Sequence, residues 1–310
     1  MVEFANGLRR VLCFHSVWGY PPTRAELLTS LDSGPDTISP QFVVINKDEM
    51  MKNSVLALAE LLASGQVVES GGRFVLGGQE EFFRQHAERE ALFPRKLRKA
   101  LRVTNWLRRL PGVRYVALCN TTAVAHARQA GDLDFFIIAK QGTLWQTRLA
   151  AVTPFKLMSD RPTTGRDRPD AVCFSFFIDD QALDLSPLCL APDDPYFRYW
   201  FLSLLSLYDD GVGPELWLGN KIIRLRHPLA EPWGRPIFFP PAGKFPTLPF
   251  LEQVSCSWQK RLFPPAIRLA ANSDSGVSIS DHVLKFHLAD GREQFRISYQ
   301  KTCERFNLQG

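Results

Sequence analysis

Cysteine is scarce in this sequence and forms no recognisable motif. The 310 residues include six cysteines, which are scattered and contain no CxxC pair. Several lie within apolar runs, where a cysteine behaves as a small hydrophobic residue. Zinc clusters and disulfide frameworks depend on regular cysteine spacing, so neither is predicted. We expect reduced cysteines and a cytoplasmic protein.

Long apolar runs are also lacking. No segment reaches the roughly 18 uninterrupted apolar residues that a membrane-spanning helix needs. The first residues do not combine a basic segment with an unbroken apolar stretch, so a signal peptide is not predicted. We therefore expect no membrane partner.

Several catalytic motifs are absent from the sequence. It has no GxxxxGK[ST] phosphate loop, no GxSxG nucleophile elbow and no HExxH metal motif among its six histidines. Its 45% hydrophobic and 22% charged residues are ordinary for a globular protein. The net charge of +5 fits an anionic partner such as a nucleotide or nucleic acid, but it does not require one.

Residues 1–79 have the pattern of three helices followed by a hairpin. Helices are predicted at 4–18, 24–31 and 49–64, and a hairpin at 66–76 around two glycines. Thr23 with Glu26 forms a capping box for the second helix, and Asp48 is the predicted cap of the third. This order is typical of a winged helix. The third helix is not basic, so nucleic-acid binding is weakly supported and a packing or protein-contact role stands beside it.

A long helical pattern at 80–110 becomes strongly basic in its second half. The lysines and arginines there are Arg95, Lys96, Arg98, Lys99, Arg102, Arg108 and Arg109. Such a run is typical of a solvated helix face. A surface beside an anionic substrate is the alternative interpretation, and the sequence leaves both open.

The remaining pattern predicts an α+β protein. Strands are expected at 113–118, 133–139 and 171–178, with a turn and short helix at 120–129 and a helix at 143–158. Helices dominate residues 191–310, at 196–208, 214–221, 250–271 and 291–306. We predict a winged-helix-like module at 1–79, a mixed-sheet core at 80–190 and a mostly helical region at 191–310.

Two aspartates begin the second of these strands. Asp132 and Asp134 precede the apolar residues Phe135 to Ile138. Strand side chains alternate, so both carboxylates project from one face, roughly 6.6 Å apart along the chain. Close carboxylates repel each other unless a cation intervenes. Mg²⁺ prefers such oxygen ligands together with substrate phosphates, and the pair therefore predicts a divalent-metal site.

The segments around these aspartates resemble a known signature. Residues 116–123 (VALCNTTA) and 131–138 (GDLDFFII) are similar to the polymerase-β-type nucleotidyltransferase pattern, which is an apolar strand, Gly-Ser, a short helix and Asp-x-Asp on the next strand. More narrowly, the chain resembles bacterial nucleotidyltransferase-domain proteins with an N-terminal winged-helix-like module. Residues 18–23, 140–149 and 283–287 look similar to that family as well.

This resemblance implies a nucleotidyltransferase core and a reaction. The expected activity is Mg²⁺-dependent transfer of a nucleoside monophosphate from an NTP to an unidentified acceptor hydroxyl, with Mn²⁺ as an alternative metal. Asp132 and Asp134 match the metal ligands, and Asn120 and Thr121 stand where the family has Gly-Ser, which holds the triphosphate. Lys140 and Arg148 are candidate phosphate contacts, although they also fit solvated charges.

Two departures from the family pattern support a rival interpretation. Asn120 carries a side chain where the family has glycine, and the inward position of the third strand is predicted to be Ser175 rather than a carboxylate. The nearest acids are Asp179 and Asp180. The rival is a nucleotide- or nucleic-acid-binding regulator with a degenerate site. A third carboxylate within about 4–5 Å of both aspartates would favour catalysis, and its absence would favour the rival.

Other residues have structural interpretations as well as functional ones. His126 is predicted near the site, but a lone histidine is more often structural; His287 is expected to be a core or capping histidine. The aromatic segment 196–201 is predicted as helical core. A protein-interaction scaffold built on the N-terminal module remains a third alternative.

Overall fold

The computed structural model describes residues 1–34, 46–158, 160, 168–237 and 244–308. Within these ranges the helices are α1 (Val2–Trp18), α2 (Arg24–Thr29), α3 (Lys47–Ala63), α4 (Glu81–Glu90), α5 (Phe93–Leu107), α6 (Asn120–Ala123), α7 (Leu144–Leu157), α8 (Pro195–Leu202), α9 (Gly213–Gly219), α10 (Lys221–Arg226), α11 (Pro249–Leu262), α12 (Pro265–Ala270) and α13 (Arg292–Glu304). None of these helices is long and apolar enough to cross a membrane.

The strands form a hairpin and a six-stranded mixed sheet. They are β1 (Val67–Ser70), β2 (Arg73–Leu76), β3 (Val113–Leu118), β4 (Leu133–Ala139), β5 (Val172–Asp179), β6 (Leu205–Asp209), β7 (Val277–Ile279) and β8 (Val283–Phe286). β1 pairs with β2, and the larger sheet has the order β6-β3-β4-β5-β8-β7. Its pairs are antiparallel except β4 and β5, which are parallel and are linked through α7. The predicted α+β class is confirmed.

The central strand β4 is buried on both faces, as its apolar sequence predicts. Leu133, Phe135 and Ile137 pack against α5 and α7. Phe136 and Ile138 pack on the other face against α8 and α9. The alternation of side chains therefore directs the aspartates before and within β4 toward the α8 face.

The region 191–310 contributes strands that its helical pattern did not predict. β6 overlaps the end of the predicted helix 196–208: α8 ends at Leu202, and the chain then pairs with β3. β7 and β8 form a short hairpin at the other edge of the sheet. Short apolar runs fit both helix and buried strand, so pairing with a distant strand decides their conformation. The prediction of a mostly helical region at 191–310 is therefore corrected, because the described part of this region also contributes three strands to the sheet.

Helix ends in the first half of the chain agree only in part with those expected from capping. The Thr23–Glu26 capping box is present, which confirms that prediction. The third helix is capped by Asn46, whose side chain accepts a hydrogen bond from the backbone N–H of Asp48 over 3.0 Å, so Asp48 is not the cap. The predicted single helix at 80–110 is divided into α4 and α5, with Pro94 in the first turn of α5.

The hydrophobic cores cross the expected module boundaries. The core beneath α1, α2 and α3 also contains Tyr199, Tyr299 and Cys303 from the second half of the chain. The core beneath α5 and α7 includes Leu207 and Leu284 from β6 and β8. The boundaries at 79 and 190 stay predictions, but neither separates two independent cores.

Candidate metal and nucleotide site

Three side chains converge where β4 begins. Asp132, Asp134 and Cys173 each offer a ligand atom, and these atoms all lie within 4.8 Å of one another. Cys173 is on β5, directly opposite Asp134 in the parallel register. All three residues are half-buried. The expectation that the two aspartates share one face is thus confirmed.

Burial raises the pKa of both carboxyl groups, and repulsion by Asp132 adds to this effect at Asp134. Burial, followed by the nearby charge of Asp132, raises the pKa of Asp134 to about 6. Burial also raises the pKa of Asp132, while the ammonium of Lys96 acts in the opposite direction. A divalent cation between the two carboxylates would relieve this repulsion.

The donor set of this cluster fits a hard cation bound through oxygen. Burial and the adjacent Asp134 and Asp132 raise the pKa of the Cys173 thiol well above its ordinary value. A protonated thiol is a weak ligand, whereas carboxylates suit Mg²⁺ and Mn²⁺. Asp132 and Asp134 are therefore the residues that would hold Mg²⁺, with substrate phosphates as further ligands.

A buried lysine fixes the turn before Asp132. Lys96 Nζ donates hydrogen bonds to the carbonyl oxygen of Gly131 over 2.5 Å and to Oδ1 of Asp170 over 2.7 Å. Its residue is 1% exposed, so it is not part of a solvated basic face. Lys96, a residue of the basic run, thus holds the backbone before Asp132 in place. Its position in the sequence did not indicate this role.

The Asn120 side chain links Asp134 to α8. Its Nδ2 donates to Asp134 Oδ2 over 2.9 Å, and its Oδ1 accepts a hydrogen bond from the Tyr196 hydroxyl over 3.0 Å. The backbone of Asn120 has φ 57°, a left-handed conformation that glycine adopts most easily and asparagine tolerates. Thr121 follows in α6 and is half-buried. The predicted phosphate-contact pair therefore lies beside the aspartates.

Lys140 and Arg148 are not brought to the aspartates. Lys140 is exposed beyond the opposite end of β4, roughly 20 Å along the strand from Asp134. The Arg148 guanidinium lies 4.3 Å from the ring centroid of Phe286 and donates to Gln259 Oε1 over 2.5 Å. It belongs to α7, on the other face of the sheet. We therefore remove Lys140 and Arg148 from the candidate site.

The third strand places a thiol, not a carboxylate, beside the aspartates. Ser175, the predicted inward residue, instead makes a hydrogen bond of 3.1 Å with His287 Nε2. Asp179 lies at the far end of β5, where its carboxylate contacts His282. Cys173, two positions before Ser175, pairs with Asp134, so the register between β4 and β5 places Cys173 rather than Ser175 beside the aspartates. Among the described residues no third carboxylate joins the cluster.

His126 lies behind the site in a buried histidine pair. Its Nδ1 is 3.0 Å from Nδ1 of His86, and its Nε2 contacts the Arg89 guanidinium. Since arginine only donates, Nε2 of His126 accepts, and its Nδ1 carries the proton shared with His86. Both rings also contact Tyr20 of the N-terminal module. This arrangement favours the structural interpretation of His126.

No protein-family description, no curated protein and no solved structure matches this chain. The interpretation of the cluster therefore rests on the chemistry and geometry of its own residues.

Proposed function

We propose that this protein binds the triphosphate of a nucleotide together with a divalent cation at Asp132 and Asp134. The observation that carries the proposal is the convergence of two half-buried carboxylates on one strand face, next to the chain segment that begins α6. Asn120 orients one of these carboxylates through its hydrogen bond to Asp134. Thr121 contributes a hydroxyl at the position that the family resemblance assigns to phosphate contact.

Binding without transfer is the function that the cluster favours. The third group near the aspartates is the Cys173 thiol, so the carboxylate expected beside an acceptor hydroxyl is missing among the described residues. The Asn120 side chain also occupies the space next to Asp134 that a glycine would leave open. Both features support a regulatory nucleotide-binding site of the nucleotidyltransferase type.

Nucleotidyl transfer is the second candidate, because the aspartate pair that such chemistry requires is retained. When bound, Mg²⁺ would neutralise phosphate charge and lower the pKa of an acceptor hydroxyl. The protein's own contribution would be to hold the carboxylates with Lys96 and Asn120 and to exclude water with Tyr196.

Labelled nucleotides separate these two candidates. Purified protein is mixed with α-labelled NTPs, Mg²⁺ and cell extract, and both retained and covalently transferred label are measured. We expect wild type to retain nucleotide in the presence of Mg²⁺ and to transfer none. The amount of nucleotide retained by Asp132→Asn should be lower than that of wild type by about tenfold or more. Asp281→Asn, at an exposed turn, is the matched charge control and should behave as wild type.

Each outcome has a defined meaning. Label transferred by wild type but not by Asp132→Asn would replace the binding proposal with the transfer reaction. Equal retention by wild type and Asp132→Asn, or no retention by either, would contradict both candidates.

We infer that residues 1–79 form a winged-helix-like module that makes packing or protein contacts. Support comes from the order of α1, α2, α3 and the β1–β2 hairpin. The exposed side of α3 carries Lys47, Asp48, Glu49, Lys52 and Glu60, a mixed set that gives no basic surface for phosphates. Fluorescence anisotropy with a labelled DNA duplex tests this, and we expect no binding at physiological salt.

A further inference from the structure

Helix α11 exposes a continuous apolar stripe. Phe250, Val254, Trp258 and Leu262 are 65%, 59%, 52% and 55% exposed. They are four residues apart, so they lie along one side of the helix. Single exposed apolar residues are normal on protein surfaces, but a row of four large ones on one helix indicates a contact surface.

The stripe borders an apolar groove between three helices. This groove has a volume of about 750 Å³ and is lined by Trp106 of the α5 helix, by Leu149 and Pro154 of α7, and by Val254 and Trp258 of α11. The stripe and the groove therefore form one surface, which we call the α11 face.

The orientation of α11 is fixed by contacts on its opposite side. The carboxylate of Glu252 accepts hydrogen bonds from the backbone N–H groups of Trp145 and Gln146, over 2.7 and 3.0 Å, at the start of α7. The buried Gln259 donates to the carbonyl oxygen of Trp145 over 2.8 Å. Because these polar contacts face inward, the apolar stripe is held outward.

Basic residues surround the α11 face. Arg102 and Arg109 lie one helical turn on either side of Trp106, and Arg261 lies one turn beyond Trp258 at the end of α11. Lys260 is next to Arg261, with its ammonium 5.1 Å from the ring centroid of Trp145; all four residues are exposed. Within α5, α7, α11 and α12 as the structure bounds them, Glu252 alone is acidic, and it is engaged with α7. The surface thus combines exposed alkyl and aromatic groups with positive charge.

This combination selects among partners. A second copy of the chain, docked through the same face about a two-fold axis, would set arginines and lysines against each other. Nucleic acid would neutralise the positive charge but would provide no apolar surface for the Val and Leu side chains. An anionic lipid bilayer satisfies both, since the apolar stripe enters the acyl boundary while basic residues contact the headgroups.

We propose that the α11 face docks on the surface of anionic membranes. The protein would lie on the bilayer without crossing it, which replaces the expectation of no membrane partner with peripheral binding. The proposal is independent of the nucleotide site, because that site lies on the α8 face of the sheet.

Vesicle sedimentation tests the proposal. The full chain is incubated with vesicles of phosphatidylcholine alone or of equimolar phosphatidylcholine and phosphatidylglycerol. We expect binding to the anionic vesicles, weakened about tenfold or more by the double substitution V254S/W258S. The charge variant K260Q/R261Q should weaken binding by about tenfold to thirtyfold, and added salt should act in the same direction.

A matched control is available on another exposed apolar surface. Leu218 and Ile222 are each 61% exposed on α9 and α10, so L218S/I222S removes similar apolar area elsewhere. This variant should bind anionic vesicles as wild type does. Thermal denaturation of all variants verifies that folding is retained, and K260Q/R261Q carries the test if V254S/W258S fails to fold.

Three results would overturn the proposal. They are absence of binding to anionic vesicles, vesicle binding that neither α11 variant reduces, and a vesicle-free dimer or an oligonucleotide complex that depends on the same residues. The last two partners would be detected by analytical ultracentrifugation and by anisotropy with a labelled oligonucleotide.

Discussion

Asn120 donates a hydrogen bond from Nδ2 to Oδ2 of Asp134 over 2.9 Å while its own backbone is left-handed, with φ 57°. Position 120 therefore combines a backbone conformation that favours glycine with a side-chain hydrogen bond that glycine cannot form. Asparagine tolerates the left-handed backbone, and its contact to Asp134 explains why asparagine rather than glycine fits this position.

Substitutions of Asn120 separate the two constraints. Asn120→Gly keeps the left-handed backbone but loses the hydrogen bonds to Asp134 and Tyr196, so we expect the free energy of unfolding to fall by about 1–2 kcal/mol. Asn120→Ala loses the same bonds and adds about 1 kcal/mol of backbone strain. Urea denaturation measures both variants. Equal stabilities of the glycine and alanine variants would contradict the left-handed assignment.

Replacing Cys173 with aspartate should strengthen cation binding. The new carboxylate joins Asp132 and Asp134, and cation affinity increases with ligand charge. We expect about tenfold tighter Mn²⁺ binding by calorimetry, together with lower stability in EDTA because three carboxylates repel one another. Cys173→Ser is the control of similar size without charge. Unchanged Mn²⁺ affinity in Cys173→Asp would show that residue 173 does not face the cation.

Loss of the buried Lys96 ammonium should destabilise the fold. Lys96→Met removes the donor to Gly131 and the ion pair with Asp170, and breaking a buried pair costs about 3 kcal/mol. Chemical denaturation of wild type and variant gives the difference. Arg98→Met, at an exposed position of the same helix, is the control and should change stability by less than about 0.5 kcal/mol. Similar losses in both variants would contradict the supporting role of Lys96.

Acid should lower the free energy of unfolding through the buried pair His86 and His126. Burial lowers the pKa of His86 to about 4 and that of His126 to about 3, from an ordinary value of 6.5. Between pH 6.5 and these lowered pKa values, the histidines of the unfolded chain are protonated and those of the folded protein are not. The free energy of unfolding therefore falls as the pH falls below about 6.5, by up to about 1.4 kcal/mol per pH unit for each histidine.

Denaturation curves collected between pH 7 and pH 4.5 test this contribution. We expect His126→Gln to have a shallower loss of stability on acidification than wild type, because one buried titrating group has been removed. Parallel pH profiles for the two proteins would refute the buried, neutral state of this histidine.

The sequence predicted those parts of the fold that depend on local pattern. The alternation along β4 correctly predicted that Asp132 and Asp134 share a face, and Thr23 with Glu26 correctly predicted a helix start. Both depend on residues within a few positions of each other. Local chemistry was sufficient in these cases.

Features that depend on distant pairing were missed. β6 has a sequence that also suits a helix, and only its pairing with β3 makes it a strand. Cys173 rather than Ser175 lies at the site because the pairing register sets Cys173 opposite Asp134, and no single-strand pattern reveals that register. Arg148 lies in the segment 140–149, which resembles the family, but its side chain packs against Phe286 in the interior. These outcomes are set by tertiary packing.

The central claim is that Asp132 and Asp134 bind a divalent cation together with a nucleotide. Calorimetric titration with each NTP, with and without Mg²⁺, tests it most directly when wild type is compared with Asp134→Asn. We expect wild type to bind at least one NTP only when Mg²⁺ is present, and Asp134→Asn to lose that binding. NTP binding that is equally strong without Mg²⁺, or in Asp134→Asn, would contradict the account.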